Sequence, residues 1–294
     1  MEFDLSGFLA GRKAAIEALL DAHLPPESRP PALLHKAMRY SVFAGGKRLR
    51  PILVMECCRL CGGDETRAGP AAVAVELLHT YSLIHDDLPC MDDDDFRRGR
   101  PTSHKVFGEA AAVLAGDALL TAAFGVLAER VEDARLSRKL SAALATAAGA
   151  SGMVAGQILD MTPPRREPRE EYVYFIHSKK TAALMEACCR MGALCAGAGK
   201  PQLAALGAFG RDFGLAFQIT DDILDEIGDE EKVGKRLRKD RDSGKITYPS
   251  VFGLERSRAE AERLVGQAIG ALDAFGDEAV ALRALARHLL TRVR

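Results

Sequence analysis

The sequence predicts an all-α fold, and three observations carry that prediction. Alanine, leucine and charged residues recur at spacings of three and four along most of the 294 residues. Runs in which β-branched residues alternate with polar ones are scarce. Hydrophobic residues make up 48% of the chain, enough for a sizeable core in one large domain or two small ones.

The elements follow in order. Residues 7–22 read as a first amphipathic helix, and Pro25, Pro26, Pro30 and Pro31 break the chain before a second that runs through His35 to Val42. Next comes Gly45-Gly46-Lys47-Arg48-Leu49-Arg50-Pro51, with three cations in four positions after two glycines. Pro51 suits the first turn of a following helix. This loop suits a phosphate group or a solvated basic turn, but it is no nucleotide P-loop, because no Ser or Thr follows Lys47. Residues 71–87 form a mostly apolar helix with a polar stripe of Glu76, His79, Thr80, Asp86 and Asp87. Residues 105–130 and 135–161 are two helices rich in Ala and Gly, whose small side chains allow close packing; Gln157 and Asp160 lie near the end of the second. A loop with Pro163, Pro164 and Pro168 leads to a helix over 172–198 that carries Lys179-Lys180-Thr181 in its middle. Over 202–227, Arg211, Gly214, Gln218, Asp221 or Asp222, and Asp225 recur at helical spacing, and Gly228 stops the helix. A basic stretch from Lys232 to Lys245 reads as a mobile loop, and the remainder from Tyr248 as peripheral helices.

Charge nearly cancels, at 40 basic and 41 acidic residues, which argues against a general nucleic-acid or membrane-surface role. No apolar run reaches the length of a bilayer span, and the N-terminus lacks the pattern of a signal peptide. Seven cysteines, an odd number, give no disulfide framework. Cys58 and Cys61 form a C-x-x-C without the further ligands that structural zinc takes. Reduced, buried thiols and the cytoplasm, or another reducing compartment, are the expectation.

The chemistry lies in local charge. Six of the ten residues from 86 to 95 are aspartate, at the end of an apolar helix. A helix C-terminus repels carboxylates, so a cation has to compensate. Asp221-Asp222-Ile223-Leu224-Asp225 repeats the arrangement at the end of a second helix. Carboxylates suit hard divalent cations, and magnesium is typically held by one or two of them together with substrate phosphates. Basic clusters at 47–50, 97–98, 179–180 and 235–245 supply phosphate ligands. Each cluster alone also reads as a solvated surface feature. Together they point to a diphosphate site bridged by Mg²⁺, above apolar helices that would line a pocket for a hydrocarbon tail. Asp86 and Asp92 are six apart and share no face of a continuous helix, so a break near Pro89 is expected to fold Asp92 back beside Asp86.

On these motifs the chain resembles the trans-isoprenyl diphosphate synthases (the polyprenyl synthetase family), most of all the bacterial type of farnesyl diphosphate synthase. The resemblance covers nearly the whole chain, as one domain over 1–294, and rests on residues 45–51, Asp86-Asp87-x4-Asp92 with Arg97-Arg98, Lys180-Thr181, 217–225 and Gly244-Lys245-Ile246-Thr247-Tyr248-Pro249. It implies the isoprenoid synthase fold, a single bundle of ten or more helices around a central cavity, and a homodimer. It implies Mg²⁺, three ions per active site, with Asp86, Asp87 and Asp92 at the first cluster and Asp221 and Asp225 at the second. Arg97, Lys180 and Lys239 would hold the allylic diphosphate; Lys47, Arg50, His79 and Arg98 would hold isopentenyl diphosphate; Thr181 and Gln218 would line the reacting carbons. Asp86, Asp92, Lys180, Gln218 and Asp221 are thereby the expected catalytic set. Tyr81 and Ser82, five and four residues before Asp86, would set product length. One helical turn rises about 5.4 Å, roughly one isoprene unit, so a tyrosine there implies a fifteen-carbon product. Geranylgeranyl diphosphate synthesis, a non-catalytic regulatory subunit and a terpene cyclase are the competing readings. Arg238 stands where the family usually has glycine, which bears on the 229–245 lid.

Overall fold

The computed structural model describes residues 3–162, 170–227 and 246–293. Among these the chain forms fourteen α-helices and a single two-residue hairpin. The all-α expectation holds.

Helix α1 (Leu5–His23) starts on Asp4, whose side chain accepts the Gly7 N–H at 3.0 Å. Helices α2 (Ala32–Val42), α3 (Leu49–Leu60) and α4 (Glu65–Asp86) follow. Helix α4 begins six residues before the expected start, because Asp64 caps it by accepting the Thr66 N–H at 2.9 Å and the helix tolerates Pro70. Residues 51–58 of α3 and 71–78 of α4 are buried on every face, as a central helix must be. Helix α4 packs on α3 and on α6 (Glu109–Arg130).

Three expected helices are interrupted, and in two cases glycine is the reason. The segment 105–130 divides at Gly108, at φ +83°, into α5 (Ser103–Phe107) and α6. The segment 135–161 divides into α7 (Ala134–Ala148) and α8 (Met153–Met161) across Gly149 and Gly152. A Cβ at Gly152 would lie 2.0 Å from the Ala147 carbonyl oxygen. The segment 172–198 runs as α9 (Glu170–His177), a π-turn over Ser178–Ala182, and α10 (Ala183–Cys195). Beyond it α11 (Lys200–Ile227) packs on α10 and on α13 (Leu254–Ala271), with α12 (Tyr248–Phe252) and α14 (Val280–Thr291) at the edge.

Helix α6 also departs from the expectation of no apolar run of membrane-spanning length. An 18-residue window of this helix has a mean hydropathy of 1.9, apolar enough to cross a bilayer by length and composition, and the broken segment Ala134–Met161 passes the same measure. Both belong to the bundle: α6 packs on α4 and α2, and α7 on α10. Only 33% of the apolar window of α6 is buried, and Val113 and Leu114 are exposed.

The seven thiols are free. Cys57, Cys58, Cys188, Cys189 and Cys195 are buried between α3 and α10, whereas Cys90 is exposed in the acidic loop.

Candidate active site

A cavity of about 770 Å³ opens between α3, α4, α8 and α11. Thirteen of the residues singled out from the sequence line it: Lys47, Arg50, His79, Tyr81, Ser82, Asp86, Asp92, Arg97, Arg98, Lys180, Thr181, Gln218 and Asp221. Lys239, Arg238 and the 229–245 segment lie outside the described residues.

The first acidic cluster folds as its proline suggests. The Asp92 N–H donates to the Asp86 carbonyl at 2.8 Å, and Asp94 N–H to Asp87 at 3.2 Å, so the loop doubles back over the end of α4. Asp86 and Asp92 thereby face the same cavity. Burial pushes the Asp86 carboxyl up to about 6; Lys180 opposes the shift and Asp92 adds to it. One Asp86 oxygen accepts the Gln157 amide at 2.8 Å, which gives Gln157 the direction its sequence position did not reveal.

Asp87 turns the other way. It is buried, does not line the cavity, and accepts Arg97 Nε at 2.6 Å. Asp87 therefore does not share the cavity wall with Asp86: on the helix it faces about one residue step, 100°, away, toward the protein. Asp225 is also buried and off the cavity.

The two arginines after the acidic loop diverge because they sit on a hairpin. Phe96 pairs with Pro101 and Arg97 with Arg100, and Arg98 and Gly99 occupy the turn with φ of 55° and 74°. Positive φ at both central positions is the requirement of the type I′ turn, one of the two favoured in two-residue hairpins. Arg97 points to Asp87, while Arg98 crosses to the 45–51 loop and donates to the Gly45 carbonyl. Gly46 sits at φ +115°, a conformation that favours glycine, and a Cβ there would lie 2.6 Å from the Arg98 guanidinium carbon and force it to shift.

This brings Lys47, Arg50, His79 and Arg98 into one corner. Arg50 donates to His79 Nε2 at 3.3 Å. Burial, then the surrounding arginines, hold His79 well below its usual range, so it is neutral at pH 7. Burial likewise lowers Lys47, Arg50 and Arg98, with neighbouring arginines adding to the effect on Lys47 and Arg98. Crowded cations that destabilise one another are relieved by an anionic ligand. Arg48 has a different part from its neighbours: fully buried, it donates to Glu76 at 2.7 Å and ties the loop to α4.

The π-turn places the next two groups. A Cβ at Gly156 of α8 would lie 2.3 Å from the Lys180 backbone nitrogen, and one at Gly214 of α11 would lie 2.6 Å from Ala182 Cα. The turn is thus gripped between two glycines. Such π-turns often occur at functional sites. Lys180 Nζ reaches Asp160 Oδ2 at 2.6 Å. Thr181 Oγ1 donates to Gln218 Oε1 at 2.7 Å, and Gln218 Nε2 donates to Asp222 Oδ1 at 2.9 Å.

The second acidic cluster is paired within the chain. Arg292, just beyond α14, donates to Asp221 Oδ1 at 2.7 Å and lies over the Phe217 ring at 5.4 Å. Asp222 is buried and accepts from Gln218 and from the Tyr248 N–H at 2.8 Å, and His177 Nε2 lies 3.2 Å from its second oxygen. Burial alone would raise its carboxyl; these partners outweigh burial and lower it. Arg292 and His177 were missed from the sequence, since both lie far from the motif they touch. Arg211, counted in the polar stripe of α11, bonds its neighbour Asp212 and lies off the site.

The donor set fits a magnesium ion. Asp86, Asp92 and Asp221 offer carboxylates to one cavity. Among the described residues no three His, Cys, Asp or Glu side chains converge as a complete cage. A cation held here therefore completes its shell with water and ligand phosphates, as magnesium does.

Comparison with known proteins agrees with this geometry. The polyprenyl synthetase family model matches residues 31–286. The large subunit 1 of the heterodimeric geranylgeranyl pyrophosphate synthase of Arabidopsis thaliana is 46% identical, over 99% of this chain and 80% of its own length. A dimethylallyltranstransferase of Fischerella ambigua is 45% identical, over 99% and 84%. Among solved structures, an FPP/GFPP synthase of Zymomonas mobilis superposes with a TM-score of 0.87 at 40% identity, covering 98% of this chain and 99% of that one. A Helicobacter pylori geranyltransferase, solved with magnesium and isoprenyl diphosphate, gives 0.83 at 35% identity, covering 99% and 98%.

Proposed function

The chain belongs to the polyprenyl synthetase family and is a prenyltransferase; from that premise we propose that it condenses isopentenyl diphosphate with dimethylallyl or geranyl diphosphate to give (2E,6E)-farnesyl diphosphate. The observation that carries the fifteen-carbon product is Tyr81. Its side chain is buried on the cavity wall, about one and a half turns of α4 before Asp86, and its ring meets His85 edge-on at 5.6 Å. Ser82 beside it turns its hydroxyl back to the His79 carbonyl at 2.9 Å, leaving Tyr81 as the bulk on that stretch of wall.

The residues divide the work by charge. Lys47, Arg50, His79 and Arg98 hold the diphosphate of isopentenyl diphosphate, and Arg97 and Lys180 hold that of the allylic substrate. Lys239 joins the allylic set on the family resemblance. Asp86 and Asp92 would hold magnesium at one end of the cavity and Asp221 at the other, three ions in all. Bound there, the metal would supply positive charge that offsets the leaving diphosphate as the allylic C–O bond ionises. Thr181 and the Gln218 carbonyl face the resulting carbocation, which the double bond of isopentenyl diphosphate attacks. A proton is then lost to the departed diphosphate. Met153, which is buried, and Phe217 line the cavity with apolar surface for the tail.

Geranylgeranyl diphosphate is the second reading. It is supported by the Arabidopsis relatives, which carry that name at 45–46% identity. The cavity wall formed by Val154 and Ile158 is also exposed, so a longer tail has a way past Tyr81. Product analysis decides between the two. Wild-type protein is expected to stop at fifteen carbons, and Tyr81→Ala to shift its product to twenty or more. An unchanged product distribution in the variant would remove Tyr81 as the floor.

A homodimer is part of the proposal. Its support is the apolar face that α6 leaves open at Val113 and Leu114, which a second copy of the chain would cover. Sedimentation at twice the monomer mass tests it. Residence in the cytoplasm is proposed on the seven free thiols.

A further inference from the structure

Behind the acidic motif of α11 lies a chain of polar contacts that the reaction scheme leaves unexplained. It starts at His177, the last residue of α9, whose side chain is 5% exposed. His177 Nε2 lies 3.2 Å from Asp222 Oδ2. Asp222 Oδ1 accepts Gln218 Nε2 at 2.9 Å, and Gln218 Oε1 accepts the Thr181 hydroxyl at 2.7 Å. The chain therefore ends on the two groups that face the reacting carbons.

The direction of this chain matters because the two ends of an amide carry opposite partial charges. An ionised carboxylate only accepts hydrogen bonds. Asp222 therefore selects the NH₂ end of Gln218, and the oxygen end is left toward Thr181 and the cavity. A flipped amide would place its N–H groups against a carbocation. Asp222 can impose this choice only if it is itself held, and its second oxygen is held by the Tyr248 N–H at 2.8 Å and by His177. Of these two anchors, His177 is the one that a side-chain substitution removes.

His177 carries a cost consistent with such a duty. Its Nδ1 is buried and has no partner among the described residues. An unsatisfied buried polar atom costs about 1–3 kcal/mol, which an apolar side chain of similar size would avoid. The ring stacks on Tyr248 at 6.1 Å between centroids and 28° between planes, a contact that phenylalanine or leucine would also fill. The nitrogen, not the bulk, is what the site uses.

We propose that His177 is a positioning residue of the elongation reaction: through Asp222 it fixes the Gln218 amide with its oxygen toward the reacting carbons. This rests on the prenyltransferase reading of the site. Among the described residues the His177 side chain forms no ion pair with a residue assigned to the diphosphates, its partner being Asp222, so its loss should act on the chemical step more than on binding.

Steady-state kinetics with isopentenyl and geranyl diphosphates test the proposal on five proteins: wild type, His177→Leu, His177→Gln, Gln218→Leu and His177→Leu with Gln218→Leu. The leucine variant keeps bulk and loses the donor, and is expected to lower kcat roughly 10- to 100-fold while both KM values stay within about threefold. The glutamine variant, which restores an N–H, should recover to within about threefold of wild type. In the double variant, His177→Leu should cost less than about twofold beyond Gln218→Leu alone, because the two act as a unit. The proposal is overturned if His177→Leu leaves kcat unchanged, if kcat and KM worsen together in step with a fallen melting temperature, if glutamine fails to rescue, or if the two losses multiply. A wild type that does not elongate would overturn the prenyltransferase reading and this role with it, whereas an elongating wild type with an unaffected leucine variant overturns this role alone.

Discussion

The ends of α4 and α11 present the same sequence device, an apolar helix running into aspartates, and handle the charge in opposite ways. In both, the first aspartate of the pair faces the cavity and the second turns back into the protein. Asp87 is held by Arg97, and Asp222 by His177, Gln218 and the Tyr248 N–H. The cavity-facing members differ. Asp221 is met by Arg292 at 2.7 Å. Asp86 is met by an uncharged amide, Gln157, and its carboxyl is pushed up to about 6 by burial, with Asp92 adding to the shift. The first cluster is built to receive charge from outside the chain; the second carries a cation of its own, which an incoming metal has to displace or share.

That contrast is open to test, beginning with the largest effect. Asp86→Asn or Asp92→Asn should abolish elongation, by roughly 10³-fold or more in kcat/KM, if the first cluster holds the ion that neutralises the leaving group. The proteins should stay folded, since removing one of several mutually repelling carboxylates relieves the site. A loss under tenfold would equate the first cluster with a solvated loop.

The second test uses pH. Asp86 has its folded pKa raised from 3.8 to about 6, so between those values the folded state binds more protons than the unfolded one. Metal-free stability should therefore fall as pH rises through that window, the reverse of a salt-bridged carboxylate. Magnesium binds the deprotonated form, so its affinity should drop about tenfold per pH unit below about 6 and level off above it. Calorimetric titration of Mg²⁺ from pH 5 to 7.5 reads this directly, and an affinity flat across the range would contradict the contrast.

The smallest expected effect belongs to Arg292. A partly exposed ion pair is worth about 0.2–1 kcal/mol. Arg292→Gln should accordingly lower the half-saturating Mg²⁺ concentration by no more than about fivefold, making the second cluster more like the first. A rise in that concentration would show that Arg292 assists the metal and does not compete with it.

The contrast also shows what the sequence reveals and what it hides. The acid clusters, the basic loop and the long apolar helices were legible, because charge and periodicity are local properties. The fold-back of Asp92 was legible from Pro89, whose lack of an N–H ends a helix. The directions of Asp87 and Asp222 were not, since one residue step on a helix turns a side chain by about 100°. Nor was the π-turn that presents Lys180 and Thr181. It depends on Gly156 and Gly214 closing on it from two other helices, and in sequence these read only as small residues. The break at 149–152 was hidden by an Ala-rich period that continues across it. Arg292 reaches Asp221 across 71 positions, and no local pattern announces such a pair.

The central claim is that this cavity lengthens an allylic diphosphate only when a divalent cation joins Asp86 and Asp92. The direct measurement is product carbon number from metal-stripped protein given isopentenyl and geranyl diphosphates, with Mg²⁺ withheld or added back. The account predicts no product without the ion and a fifteen-carbon diphosphate with it. Elongation in the metal-free arm, or no product longer than the starter in the magnesium arm, would contradict it.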